Sequence, residues 1–133
     1  MSSVFADTSF FVAFLSRRDQ FHAEAHRLMD TLQARMVTTD WVLVEIANFM
    51  AKTPLRNRAA DLIRRLQAHT RSDIVPASAA AIEEGLRLYE QHHDKQWSLT
   101  DCISFQVMRR EGIQQALTAD HHFEQAGFEI LLK

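Results

Sequence analysis

At 133 residues the chain has the length of one ordinary domain, and with 47% hydrophobic and 24% charged residues it is excluded from the disordered and collagen-like classes. Fifteen Lys plus Arg against seventeen Asp plus Glu leave a formal charge of -2, so no global basic field draws it to nucleic acid. Three glycines and two prolines supply too few tight corners for an all-β sandwich, and the single cysteine, Cys102, cannot form an internal disulfide.

No run approaches the roughly 18 apolar residues of a membrane span, and the N-terminus lacks a basic region ahead of its apolar run. A single cytoplasmic domain over residues 1–133 is the expectation.

The elements follow from periodicity. Ser3 to Ala6 predicts a short strand, and Asp7-Thr8-Ser9 offers a cap to Phe10 through Leu15, a helix apolar on every face and therefore buried. Phe21, Ala25, Leu28, Met29 and Leu32 fall at helical spacing, which places His22, Glu24 and His26 on the solvent side. Met36 to Thr39 is β-prone, and a helix from about Asp40 to Lys52 follows it. Pro54 separates this from a helix whose apolar face is Leu55, Ala59, Leu62, Ile63 and Leu66. Asp73 to Val75 predicts a strand, and Ser78 caps a helix carrying Ile82, Leu86 and Tyr89 inward. After the polar stretch His92 to Gln96, a helix runs from Thr100 past Arg109 and Arg110 to a stop at Gly112. Ala116 to Thr118 and Phe128 to Leu131 predict the last two strands, with a short helix after Asp120.

Five short strands separated mostly by helices imply parallel βαβ crossovers, hence a three-layer α/β/α fold around a five-stranded parallel sheet. Ligands on such sheets collect outside the C-terminal strand ends. Three aspartates occupy those junctions: Asp7, Asp120 and, in the first turn of its helix, Asp101. Each alone reads as a helix cap, and Ser98 with Asp101 has capping-box spacing. Glu45 resists that explanation, because Trp41, Val42 and Phe49 are its neighbours one turn away and no basic residue is. A carboxylate on an apolar helix face needs a partner or a raised pKa.

If the helix after the second strand packs beside the first, Glu45 joins the three aspartates at one sheet end. Two carboxylates about 5 Å apart repel by roughly 3 kcal/mol at an effective dielectric near 20, so four together call for cations or protonation. Oxygen-only donors favour a hard ion, Mg²⁺ or Mn²⁺, able to bind substrate phosphate and activate a water for attack on a phosphodiester.

Phe5-Ala6-Asp7-Thr8-Ser9, Glu45 with Asn48, Trp97 through Phe105 around Asp101, and Leu117-Thr118-Ala119-Asp120 ahead of Phe123 and Ala126-Gly127-Phe128 together resemble the PIN domain, most closely the VapC-type toxins. The resemblance covers nearly the whole chain in order and spacing. It implies a Mg²⁺- or Mn²⁺-dependent endoribonuclease whose acidic quartet maps onto Asp7, Glu45, Asp101 and Asp120. Ser9 and Thr118 fall where the family has supporting hydroxyls, and Asn48 is a further carry-over. Many members have one more acidic residue; Asp94 and Glu124 are the nearest here. The resemblance also implies homodimers and, for toxins, a small antitoxin that occludes the site.

The pairs His92-His93 and His121-His122 invite a zinc reading, but neighbouring helical residues point about 100° apart and no Cys or third His has ligand spacing, so exposed polar residues are expected. His122, two positions after Asp120, is placed to touch substrate. Cys102 has no local His to activate it and is read as core. All but Lys52, Lys95 and Lys133 of the fifteen basic residues are arginines, and Arg56, Arg58, Arg64, Arg65 and Arg71 crowd one segment. Part of that is helix stabilisation through an Asp61–Arg65 pair, and part is a candidate RNA-backbone track beside the acidic pocket. Trp41 and Trp97, both adjacent to helix starts, read as readily as core or dimer-interface residues as base-stacking ones. Two rival functions stay open: a non-catalytic RNA-binding relative, and a phosphoacceptor receiver, which would need a lysine near the last strand.

Overall fold

The computed structural model describes residues 2–133. Its elements in chain order are β1 (Ser3–Ala6), α1 (Thr8–Leu15), α2 (His22–Thr31), β2 (Arg35–Thr39), α3 (Asp40–Met50) and α4 (Arg56–Ala68), followed by β3 (Ser72–Val75), α5 (Ala79–Gln91), α6 (Leu99–Glu111), β4 (Gln115–Leu117), α7 (His121–Gln125) and β5 (Glu129–Ile130). The five strands form one all-parallel sheet in the order β3-β2-β1-β4-β5.

That order fixes the layers. From β1 the chain steps outward to β2 and β3 through α1 to α4, then returns across the sheet through α5 and α6 to β4, and steps away again through α7 to β5. Right-handed crossovers travelling in opposite directions lay their helices on opposite faces. Contacts follow suit: α1 packs on α2 and α3, and α3 on α4, while α5 packs on α6 and α6 on α7. The buried core runs through both layers, from Phe5, Phe10 and Phe11 to Phe105 and Phe123.

Strand order reverses at β1, and the register pairs Phe5 with Ala116 and Ala6 with Leu117. The next residues, Asp7 and Thr118, therefore emerge side by side at the C-terminal sheet edge, the switch point where such folds build sites.

Three expectations about packing are corrected. Ile82, Leu86 and Tyr89 are exposed at 42%, 37% and 48%, because α5 meets α6 through a smaller face carrying Gly85 and Leu88. His22 and His26 are half-buried and turned in: His22 Nδ1 lies 2.8 Å from the Ala13 carbonyl and His26 Nε2 lies 3.0 Å from that of Phe14, so they cap the C-terminal end of α1. Among the described residues Asp61 and Arg65 form no ion pair. Trp97 is core, its Nε1 donating to Gln125 Oε1 at 2.9 Å and its ring edge-on to Phe105. Cys102 is buried as expected, and burial first, then Asp101, pushes its thiol up to about 11, which keeps it protonated and inert.

Candidate metal centre and active site

Asp7 holds the N-cap position of α1 yet makes no capping hydrogen bond there. Its carboxylate turns across to the end of β4, where Oδ2 accepts from Thr118 Oγ1 at 2.9 Å and lies 3.4 Å from Ser9 Oγ. Ser9 and Thr118 share a hydrogen bond of 2.8 Å, and Thr118 Oγ1 also accepts the Asp120 N–H at 3.0 Å. Thr118 thus ties three polar groups together at a fully buried position. Thr118→Val, equal in shape but without the hydroxyl, is expected to cost about 1 to 3 kcal/mol, with Thr118→Ser recovering most of it in urea unfolding.

The other two aspartates do cap helices and face the same cleft. Ser98 and Asp101 form a reciprocal capping box on α6, with Asp101 N donating to Ser98 Oγ at 3.0 Å and Ser98 N to Asp101 Oδ2 at 3.1 Å. Asp120 Oδ1 accepts the His122 N–H at 2.9 Å at the start of α7. This fold-back carries the His122 ring inward, its Nδ1 3.3 Å from both Asp101 Oδ2 and Asp120 Oδ1. His121 stays exposed, although its Nδ1 lies 3.8 Å from the same Asp120 oxygen. The paired histidines therefore part company: one is surface and the other bridges two acids.

Glu45, mid-way along α3, reaches the cleft as well. Its Oε1 accepts from Thr8 Oγ1 at 2.6 Å, a neutral partner that holds the side chain without cancelling its charge. Asp7, Glu45, Asp101 and Asp120 line one open cleft of about 480 Å³, whose rim includes Phe49 and Asp19 and which no Lys or Arg lines among the described residues. Burial foremost, then the Asp101 charge, pushes the Asp7 carboxyl up to about 7. Asp101 is also raised, by burial foremost, with the Ser98 N–H opposing and the Asp120 charge reinforcing.

Several candidates lie elsewhere. Asn48 is exposed and lines a separate groove between α3 and α4 with Arg56 and Arg64. Arg58 and Arg65 face the opposite flank of α4. Asp94 pairs with Lys95 on the surface, and Glu124 is exposed. His122 lines the acidic cleft, where its position two residues after Asp120 puts it.

A PIN domain family model matches residues 4–129 of the chain. The chain belongs to the PIN domain family. This PIN domain is 30% identical over 125 residues to the 23S rRNA-specific endonuclease VapC20 of Mycobacterium tuberculosis, covering 94% of this chain and 95% of that protein. The VapC20 crystal structure, described as a sarcin-ricin loop cleaving toxin, superposes with a TM-score of 0.85. FitAcB from Neisseria gonorrhoeae, at 18% identity and a TM-score of 0.67 over 96% of each chain, shares the PIN fold. DNA-bound VapBC from Salmonella typhimurium does so at 13% identity and 0.66 over 98% of each. Among the described residues no helix is long and apolar enough to cross a membrane.

Proposed function

We propose that this chain is a divalent-metal-dependent endoribonuclease, the toxin of a toxin–antitoxin pair, that hydrolyses RNA phosphodiester bonds. The carrying observation is that Asp7, Glu45, Asp101 and Asp120 share one cleft without a Lys or Arg among its described lining residues. The relative VapC20, named for ribosomal RNA cleavage over matching length, supports RNA as the substrate class.

The donor set fits a hard cation. All four side chains offer carboxylate oxygens and none a thiolate, and no Lys or Arg among the described lining residues supplies counter-charge. Asp7, Asp101 and Asp120 would hold Mg²⁺ or Mn²⁺ directly or through water, with Glu45 completing the shell. When bound, the ion polarises the phosphodiester and offsets charge on the attacking and leaving oxygens.

The chain's own residues do the rest. Thr118 and Ser9 fix which Asp7 oxygen faces β4, and the capping box holds Asp101 in place. His122 Nδ1 bridges Asp101 and Asp120, setting their separation. Glu45, anchored by Thr8, would orient the attacking water or complete the metal shell. A second copy of the chain and a small antitoxin are its proposed protein partners.

The test is cleavage of RNA by purified protein with Mg²⁺, Mn²⁺ or chelator. Chelation is expected to abolish cutting, and products are expected to carry 5′-phosphate and 3′-hydroxyl ends. Ends bearing 2′,3′-cyclic phosphate would exclude water as the nucleophile. RNA binding with no metal-dependent cleavage of any substrate would favour the non-catalytic relative.

A further inference from the structure

A polyanion approaching four carboxylates is repelled, so a ribonuclease with this cleft must gain its backbone affinity from cations outside it. Such cations gather at the other end of α1, a helix of eight residues and so about 12 Å long. There an open cleft of about 450 Å³ between α1, α2 and α4 is walled by Arg17, Arg58, Arg65, His22 and His26, with Phe14 and Leu62 on its apolar side. Asp61 is the one carboxylate among its described lining residues.

Among the described residues none of these three arginines is ion-paired, whereas Arg27, Arg35, Arg87 and Arg110 each have a carboxylate partner. The histidine wall is anchored to α1. Carbonyl oxygens only accept, so His22 donates from Nδ1 and His26 from Nε2, and the Phe14 ring stacks on His26 at 4.2 Å. The two clefts share a boundary: in the turn between α1 and α2, Asp19 lines the acidic cleft and Arg17 the basic one.

We infer that the Arg17–Arg58–Arg65 cleft holds the phosphodiester backbone of RNA flanking the bond to be cut. This rests on the ribonuclease reading above. Arginine forks pair two oxygens of one phosphate, and their freedom from carboxylate partners leaves them available for that geometry. Position on α4 separates them from their neighbours in sequence: Arg58 and Arg65 share this flank, while Arg56 and Arg64 line the groove against α3.

The experiment uses the full chain carrying Asp7→Asn, in chelator so that RNA stays intact, and measures affinity for a short single-stranded RNA across a salt series. Arg58→Ala with Arg65→Ala is expected to flatten the slope of log K against log salt by about 1.4, and adding Arg17→Ala by about 0.7 more. Arg56→Ala with Arg64→Ala removes equal charge from the opposite flank and is expected to change the slope by less than half as much. Thermal midpoints of the variants confirm folding, all five side chains being exposed. Equal slope changes for the two pairs, or none for Arg58 and Arg65, overturn the proposal. So does loss of polyglutamate binding with RNA binding retained, which would make the cleft a protein-docking surface. None of these results touches the ribonuclease reading, which fails separately if the wild-type protein shows no metal-dependent cleavage.

Discussion

Asp7→Asn is expected to abolish RNA cleavage, a loss of at least about 10²-fold, while making the metal-free protein more stable near neutral pH. The carboxyl titrates at about 7 in the folded chain against an ordinary 3.8, so the folded state binds more protons between those values. Stability from this group is full below pH 3.8 and is lost as pH rises through about 7. A shift of about three pH units corresponds to roughly 4 kcal/mol lost by neutral pH. Asparagine is neutral throughout and can still accept from Thr118 Oγ1, the strongest of the side chain's present hydrogen bonds. The variant should therefore melt about 10 to 15 °C above wild type in chelator at about pH 8, the gap closing as pH falls towards 4. Added Mg²⁺ should raise the wild-type midpoint by mass action and leave that of the variant in place. A large fall in the variant's midpoint would instead make Asp7 a helix cap, against the missing capping bond of α1.

This reversal shows where the sequence was readable. Asp7, Asp101 and Asp120 were legible as junction residues because strand–helix alternation dictates a parallel sheet, and such a sheet collects its junctions at one edge. Capping alone would have explained all three, and it does describe Asp101 and Asp120, whose oxygens accept backbone N–H groups. What separates Asp7 is its hydrogen-bond partner Thr118, just past the end of β4, a tertiary fact. Glu45 was legible as an anomaly, a charge with apolar neighbours, although its Thr8 partner lies 37 positions away.

The misread residues share a cause. His22 and His26 looked solvent-facing because they sit opposite the apolar stripe of α2, yet the α1 carbonyls that accept their hydrogen bonds lie in another element. The arginine run looked like one track, but α4 turns its members to two flanks facing different grooves. In α5 the apolar residues Ile82, Leu86 and Tyr89 seemed to mark the inner face, whereas the helix buries Gly85. Hydrophobic pattern measures which side chains prefer burial; it does not register a helix face chosen because it is small.

Gly85→Val tests that last point and should be the most damaging single change outside the cleft. A Cβ built on Gly85 would stand 2.5 Å from Ile103 Cγ1 and 3.3 Å from the Ile103 backbone nitrogen. A rotamer change in isoleucine relieves the first contact, but the second is backbone and gives only by a shift of a few tenths of an ångström between α5 and α6, which the two further methyl groups of valine enlarge. Alanine there gains about 1 kcal/mol of helix propensity to set against the clash, whereas valine adds two methyl groups and loses most of that gain. The expected cost of Gly85→Val is about 3 kcal/mol, read as a lower urea midpoint. Because Asp101 lies on α6 two residues before Ile103, a displaced helix also carries that carboxylate away from Asp7 and Asp120. Cleavage should fall about 10- to 100-fold at temperatures where the variant is still folded. Gly112→Ala is the contrast: its φ of 68° strains an alanine by about 1 kcal/mol, but nothing lies within 4 Å of the added carbon and activity should be retained. Shortening Ile103 to alanine in the Gly85→Val background should restore part of both stability and cleavage, a non-additive pair. If Gly85→Val proves as stable as wild type, close approach of α5 to α6 does not position Asp101.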